Sequence, residues 1–404
     1  MSTLLVRDLA QVVSPGEDAP LRGKALRDLI VVENGYVLCE NGRIAAVGRM
    51  ADLPKLDGDV VELDGRGHAA VPGLVDCHTH ACFAGDRAAE FELRAAGAGY
   101  EELHAAGSGI LSTVRATRAA GEPGLRAAVQ RHRGWMRAHG TTTWEGKSGY
   151  GLDRDTELAQ LRAVVDAGGI ATWLGAHAVP PEFADADEYL DFALSEVLPE
   201  AAGIAEAADV FLERGAFDAA QARHYLEACG RAGLALRLHA DQFTVAGGVE
   251  LAVELGARSV DHLEATSAAG VRLLAPSGVA AVLLPVAALV LGRPMPPARA
   301  LIDAGAIVAL ATDFNPGSAF CESLPLVMSL ACTQLGMSPA EALAACTVNA
   351  AHVLGRADRA GRIAVGRQAD FVLLDQADWR FLAYHLGGEH VAVVVEHGEV
   401  VWER

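Results

Sequence analysis

Hydrophobic and polar positions alternate with a short period at both ends of the chain. Near the N-terminus, the run IVVENGYVLCENGRIAAVG is interrupted by the turn-forming pairs Asn34-Gly35 and Asn41-Gly42, which is typical of β-hairpins. Near the C-terminus, His397-Gly398 separates two alternating runs in HVAVVVEHGEVVWE. Because an isolated hairpin is barely stable, we expect residues 1–68 and 361–404 to pair into one small β-sandwich domain. Two separate β decorations are the alternative.

The middle of the chain has a different pattern, in which short apolar segments alternate with alanine-rich amphipathic stretches. This alternation is typical of parallel strands connected by helices. Eight strand candidates occur within residues 69–360, and eight parallel strands predict an α/β fold of the (β/α)8 TIM barrel type. Active sites of such barrels lie at the C-terminal ends of the strands. The strands are expected to end near His80, Lys147, His177, Glu213, His239, His262, Pro285 and Asp313.

Composition and charge narrow the possible partners. Of the 404 residues, 51% are hydrophobic and 21% are charged, which predicts a globular protein rather than a disordered or fibrous one. Lys and Arg number 33 against 52 Asp and Glu, so that the formal net charge is -19. An acidic surface repels a phosphate backbone, and we therefore expect no nucleic acid partner.

Cysteine usage and hydropathy bear on the cellular compartment. The seven cysteines are scattered along the chain without a CxxC pair, which argues against a disulfide framework and favours a reducing cytoplasm. The run MSTLLVRDLAQVV has Arg7 and Asp8 inside its apolar stretch. The sequence also has no uninterrupted apolar run of about eighteen residues. We therefore expect neither secretion nor a membrane partner.

Histidines and an aspartate at the predicted strand ends indicate a metal site. His78 and His80 in DCHTH are two residues apart, and on a strand both imidazoles point to the same face. His239 in LRLHAD and Asp313 in LATDF end the fifth and eighth predicted strands, which open at the same mouth of a barrel. Three imidazoles and one carboxylate suit one divalent ion, zinc or iron. For any one of these histidines alone, a hydrogen-bonded core residue is the alternative.

Longer motifs around these residues carry a family resemblance. The run PGLVDCHTH, together with His239, His262 and Asp313, resembles the amidohydrolase superfamily in its mononuclear form. Further runs resemble the imidazolonepropionase family within it, and they span the whole predicted barrel: FELRAAGAGYEELHAAGSGILSTVRATRAA, EGKSGYGLDRDTEL, LGAHAVPPEF, VDHLEATSAAGV and ATDFNPGS. The resemblance implies a metal-dependent hydrolase of histidine degradation. Its implied substrate is 4-imidazolone-5-propanoate, whose ring C–N bond is opened to N-formimidoyl-L-glutamate.

The resemblance also implies roles for individual side chains. It places His262 beside the attacking water as the general base, with an additional metal ligand as the alternative, and it gives Asp313 a share in proton handling. Arg87 is expected to pair with the propanoate, because a guanidinium offers a two-pronged match to a carboxylate. The implied substrate-binding residues are Arg87, Tyr100, Tyr150, His177, Gln242, Asn315, Gly317 and Ser318.

Position 242 departs from the family pattern, in which Glu commonly follows the HAD of the fifth strand. This chain has Gln242, and because an amide cannot accept a proton we expect it to act through hydrogen bonds. Two other functions stay open: a deaminase of a cyclic amidine, which would use the same metal donors, and a catalytically silent barrel that binds a partner. A homodimer is a further expectation.

Overall fold

The computed structural model describes residues 3–56, 58–97 and 109–404. These residues contain sixteen strands, which form two sheets of eight strands each. In chain order the strands are β1 (Thr3–Pro15), β2 (Leu29–Glu40), β3 (Arg43–Arg49), β4 (Val60–Asp64), β5 (Ala69–Pro72), β6 (Leu74–Asp76), β7 (Thr141–Lys147), β8 (Ile170–Ala176), β9 (Ala207–Leu212), β10 (Ala235–Ala240), β11 (Ser259–His262), β12 (Ala280–Leu283), β13 (Ile307–Leu310), β14 (Phe371–Leu374), β15 (Val391–Glu396) and β16 (Glu399–Glu403).

Helices connect most of the central strands. The longest helix bends at Gly121, whose φ of 60° is not helical, two residues before Pro123, because proline interrupts the helical hydrogen bonds. In the described ranges the α-helices are α1 (Ala88–Ala95), α2 (Ile110–Ala138), α3 (Arg154–Asp166), α4 (Ala186–Phe192), α5 (Leu198–Ala201), α6 (Ala219–Arg231), α7 (Gly248–Leu255), α8 (Ala268–Leu274), α9 (Pro285–Val290), α10 (Ala298–Ala304), α11 (Leu324–Gln334), α12 (Pro339–Ala345), α13 (Val348–Val353) and α14 (Phe381–Tyr384).

Short polar side chains determine where several of these helices begin. The Asp153 carboxylate accepts a hydrogen bond from the backbone N–H of Thr156 at the start of α3. Helix α6 begins with a reciprocal pair between Asp218 and Gln221, and α12 begins with the corresponding pair in the sequence SPAE. These contacts satisfy backbone N–H groups that have no partner within a first helical turn.

Strands β6 to β13 form the barrel in their order along the chain, and each one runs parallel to the next. The first and last strands meet through the segments that follow them: the N–H of Asp313 donates to the carbonyl of His78 at 3.0 Å, and the N–H of His80 donates to the carbonyl of Phe314 at 2.9 Å. Strands β11, β12 and β13 are buried along their whole length, as expected of a parallel sheet covered by helices. The prediction of a (β/α)8 barrel is confirmed.

The second sheet unites both ends of the described chain. Its strands follow the order β16-β15-β14-β5-β1-β2-β3, and β4 pairs with β1. Strand β14 is antiparallel to β5, with Val372 opposite Val71, so that residues about 300 positions apart share one ladder. The predicted pairing of the two ends is confirmed. The domain boundaries at residues 68/69 and 360/361 stay a prediction.

The interior of the barrel is not uniformly apolar. Barrel interiors are ordinarily filled by branched apolar side chains, and many of the buried residues here are Val, Leu and Ala. Beneath the C-terminal mouth, however, five charged side chains are buried: Glu145, Lys147, Asp209, Arg237 and Asp261. In the part of the chain that the structure describes, no helix has both the length and the apolar character that crossing a bilayer requires.

Candidate active site

Four side chains that the sequence analysis assigned to one metal site meet at the C-terminal mouth of the barrel. Oδ1 of Asp313, which follows β13, lies 3.4 Å from Nε2 of His78 and 3.3 Å from Nε2 of His80. Nε2 of His239, near the end of β10, lies 3.3 Å from Nε2 of His80. Residues from the first, fifth and eighth barrel strands therefore converge at one place.

The geometry of these donors suits a metal ion. Two imidazole nitrogens that share a tetrahedral zinc ion at about 2.0–2.1 Å lie roughly 3.3 Å apart, which is the separation observed between His80 and His239. In addition, Nε2 of His78 is buried without a hydrogen-bond partner, which is costly for a nitrogen that binds nothing. Two overlapping sets have donor atoms within 4.8 Å of one another: His78, His80 and Asp313, and His78, His239 and His262.

Two buried aspartates orient the imidazoles. Asp261 Oδ2 contacts Nδ1 of His78 at 2.6 Å, and Asp209 Oδ1 contacts Nδ1 of His239 at 3.0 Å. A carboxylate on Nδ1 fixes the proton there and leaves Nε2 as the atom able to bind a cation, an arrangement that is usual for metal-binding histidines. Neither aspartate was predicted from the sequence to have a role in the site.

Three of the candidate donors, His80, His239 and Asp313, have the protonation states that metal binding needs. Burial lowers the pKa of His80 and lowers the pKa of His239 to about 4, so that both imidazoles are neutral at neutral pH. Burial opposes ionisation of Asp313, but its contacts with His78 and His80 outweigh burial and hold the pKa of this carboxyl well below its usual value. Neutral imidazoles and an ionised carboxylate are the forms that bind a cation.

His262 ends β11 and faces the same mouth. Its Nδ1 lies 3.4 Å from Oε1 of Glu264. Burial lowers the pKa of His262, but the Glu264 carboxylate outweighs burial and raises the pKa above its usual value. The geometry is compatible with both predicted roles, because His262 also belongs to one of the two donor sets. A basic imidazole at this position favours proton transfer.

A cavity of about 420 Å³ opens above the donors. The predicted Tyr100 lies outside the described residues. Arg94 of α1, which was not among the predicted site residues, also lines the cavity. The predicted residues that line the cavity are His80, Arg87, Tyr150, His177, His239, Gln242, His262, Asp313, Asn315, Gly317 and Ser318.

The two arginines share a buried carboxylate. Nε of Arg87 donates to Glu90 at 2.8 Å, and Nε of Arg94 lies 3.9 Å from the same carboxylate. Nη2 of Arg94 donates to the carbonyl of Gly317 at 2.8 Å. Glu90 also accepts from the N–H of Gly109 at 2.8 Å. The guanidinium groups are thus held at the cavity wall before any ligand binds.

The loop after β13 is organised by its own asparagine. Oδ1 of Asn315 accepts from the N–H groups of Gly317 and Ser318, both at 2.8 Å, and Nδ2 donates to the carbonyl of Asp313 at 2.6 Å. Asn315 lines the cavity, and its role in substrate binding stays a prediction. These three hydrogen bonds of the Asn315 amide fix the conformation of the loop that carries Gly317 and Ser318.

The family of the chain follows from comparison with known proteins. Residues 69–401 match the family described as Amidohydrolase family. An adenosine deaminase from Xanthomonas campestris with bound zinc has a TM-score of 0.68 at 21% identity, over 99% of this chain and 92% of that one. A guanine deaminase from C. acetobutylicum has a TM-score of 0.71 at 14% identity, over 99% of this chain and 100% of that one. These structures share the fold, and the chain belongs to the amidohydrolase family.

Sequence relatives define the group within this family. The chain is 61% identical over 407 residues to the imidazolonepropionase of Rubrobacter xylanophilus, with 98% of each chain covered. It is 48% identical over 419 residues to the imidazolonepropionase of Chloroflexus aggregans, again with 98% of each covered. Within the amidohydrolases, the chain is therefore a member of the imidazolonepropionase family.

Proposed function

We propose that the protein hydrolyses the ring C–N bond of 4-imidazolone-5-propanoate and releases N-formimidoyl-L-glutamate, the third step of L-histidine degradation. The observation that carries this proposal is one cavity lined both by metal donors and by two arginines, in a chain 61% identical to an imidazolonepropionase. An amidine deaminase is not favoured, because the two deaminases compared above are only 21% and 14% identical to this chain.

Arg87 and Arg94 would bind the propanoate group. Both line the cavity, and a charged guanidinium pairs with a carboxylate in a two-pronged geometry. The Arg87 guanidinium donates a hydrogen bond to Glu90 and is therefore already oriented when the substrate enters. Less conformational entropy is then lost on binding. The two cationic groups favour an anionic side chain over a neutral one.

Replacing Gly317 with alanine is expected to weaken substrate binding. A Cβ at this position would lie 2.2 Å from Nη1 of Arg87, and the guanidinium would have to move. Since a hydrogen bond to a charged group contributes about 1.5–3 kcal/mol, we expect kcat/KM to fall at least roughly tenfold, mainly through KM. Gly134→Ala in α2 is the control, because its Cβ meets nothing within 4 Å. An unchanged KM in Gly317→Ala would contradict the proposed propanoate site.

Tyr150 and His177 would align the imidazolone ring. Burial raises the pKa of the Tyr150 hydroxyl, which therefore stays protonated and can donate a hydrogen bond. Nδ1 of His177 donates to the carbonyl of Gly149 at 2.9 Å, and in the neutral ring this leaves Nε2 as an acceptor. A donor and an acceptor on the cavity wall match the carbonyl and N–H groups of the substrate ring. Gln242 would add a further hydrogen bond.

His78, His80, His239 and Asp313 would hold one divalent ion, which we propose to be zinc or iron. When bound, such an ion supplies Lewis acidity and lowers the pKa of a water molecule to about 7. His262 would accept the proton of the water that attacks the ring carbonyl carbon. As the C–N bond breaks, His262 would return this proton to the ring nitrogen, while Asp313 assists the transfer. The added water thus supplies one oxygen of the new carboxylate and the proton of the new N–H group, and its second proton is released when the carboxylic acid ionises.

Purified protein supplied with zinc or iron should remove the ultraviolet absorbance of 4-imidazolone-5-propanoate faster than its spontaneous decay. The product should be N-formimidoyl-L-glutamate, in a one-to-one ratio to the substrate consumed and without ammonia, because the breaking bond lies inside the ring. Metal-depleted protein provides the control. Ammonia release would favour the deaminase alternative, and a rate no higher than the spontaneous one would contradict the proposed function.

The proposed location is the cytoplasm. All seven cysteines are free, which is consistent with a reducing compartment. A homodimer stays a prediction.

A further inference from the structure

Five charged side chains lie inside the barrel directly beneath the metal donors. The side chains of Glu145, Lys147, Asp209 and Asp261 are fully buried, and that of Arg237 is 2% exposed. Removing ions from water is costly unless their mutual contacts compensate. A buried cluster of five charged side chains is therefore expected to have a role that apolar side chains in the same positions could not have.

Glu145 is the centre of this cluster. Its Oε1 accepts from Nζ of Lys147 at 2.7 Å and from Nη1 of Arg237 at 2.8 Å. Its Oε2 accepts from the backbone N–H of Thr79 at 3.1 Å, and its backbone carbonyl accepts from the Thr79 hydroxyl at 2.6 Å. One carboxylate thus binds two cations and the chain segment between His78 and His80.

Each of the two cationic side chains also donates a hydrogen bond to one of the aspartates that contact a candidate metal donor. Nζ of Lys147 donates to Oδ2 of Asp209 at 2.7 Å, and Asp209 contacts His239 through its other oxygen. Nη2 of Arg237 donates to Oδ2 of Asp261 at 3.1 Å, and the same oxygen contacts Nδ1 of the first donor in the sequence DCHTH. Two branches therefore run from one glutamate to two different donors, His78 and His239.

We propose that Glu145 is a positioning residue that sets the orientation of the metal donors His78, His80 and His239 together. Through Thr79, Glu145 acts on both His78 and His80. Through Arg237 and Asp261 it acts on His78 a second time. Through Lys147 and Asp209 it acts on His239. In the described part of the chain, neither Glu145 nor Lys147 is among the residues that line the cavity, so that both act through other residues.

This inference rests on the proposed metal site, although not on the identity of the substrate. Glu145→Gln keeps the shape of the side chain but removes the charge that binds both cations. We expect the metal dissociation constant, measured by competition with a chelator, to rise about 10- to 100-fold, as is found when the groups that orient metal ligands are altered. This rise in the dissociation constant should be observed in protein that circular dichroism shows to be folded.

Glu341→Gln is the matched control. Glu341 is equally buried and accepts hydrogen bonds from Arg27 and Arg299, but it lies outside the cluster. This variant should lower Tm and leave the metal dissociation constant unchanged. If Glu145→Gln behaved in the same way, with a lower Tm and unchanged metal affinity, Glu145 would have only a structural role and the inference would be wrong.

A second variant covers the case in which Glu145→Gln does not fold. The double substitution Glu145→Gln with Lys147→Met removes one charge of each sign, and the net charge of the cluster is unchanged. We expect weakened metal binding in this variant too. Wild-type affinity in the double variant would overturn the inference, whereas a wild-type protein that binds neither zinc nor iron would overturn the proposed metal site itself.

Discussion

His78→Ala is expected to lose metal binding and almost all hydrolytic activity. His78 belongs to both donor sets, and its buried Nε2 makes no hydrogen bond, so that its removal affects every arrangement in which these donors could hold an ion. A catalytic metal contributes several kcal/mol of transition-state stabilisation, and about 4 kcal/mol corresponds to roughly a thousandfold in rate. We therefore expect kcat/KM to fall by at least that factor.

The measurement is metal content per chain by elemental analysis, together with kcat/KM for 4-imidazolone-5-propanoate. His224→Ala is the control, because His224 is an exposed residue of α6, and both quantities should stay at the wild-type level. Activity close to wild type in His78→Ala, with metal retained, would be incompatible with the proposed site.

His262→Ala is expected to separate proton transfer from metal binding. If His262 is the general base, its loss should reduce kcat by about a hundredfold or more, while the other four donors keep the ion in place. Metal content and KM should therefore change little. The Glu264 carboxylate that contacts His262 would lose its partner, so Tm should be measured in parallel.

The two roles of His262 give different results in this experiment. Loss of the metal in His262→Ala would show that this residue is a ligand and that the set of His78, His239 and His262 holds the ion. His262→Asn serves as the matched variant, because its amide keeps a polar group beside Glu264 but cannot accept a proton at neutral pH. A comparable loss of kcat in both variants would support the role of His262 as the general base.

The strand order of the barrel and the meeting of the candidate metal donors at one mouth were predictable from the sequence because both depend on local patterns. A strand end followed by His or Asp is visible in DCHTH, LRLHAD and LATDF, and the barrel fold brings all such ends to one mouth. The pairing of the chain ends followed from hairpin patterns that could not be stable alone. These predictions required no knowledge of how side chains pair across strands.

The buried cluster was not predictable in the same way. The contact between Glu145 and Arg237 joins residues 92 positions apart, and it depends on the register of strands that are not neighbours. A usable indication was nevertheless present, because charged residues inside strands buried on both faces must be paired. Arg94 was missed for a different reason, since an arginine on a helix is ordinarily an exposed residue.

The backbone conformation at the strand ends could not be predicted from the sequence patterns either. His262 and Asp313 have φ values of 84° and 55°, and Leu263 has a φ of 72°. Residues other than glycine rarely adopt this left-handed region, and those that do are frequent at functional sites. The surrounding barrel imposes this geometry, which is a tertiary effect that no local sequence preference indicates.

The antiparallel pairing of β5 with β14 has a consequence for how the protein is made. On the ribosome, β5 emerges roughly 300 residues before its partner, and at about 5–20 residues per second this delay lasts on the order of 15–60 seconds. During that interval one edge of β5 has unpaired N–H and C=O groups, which invite pairing with other nascent chains. The late synthesis of β14 therefore leaves this edge of β5 open to intermolecular pairing while the chain is being made.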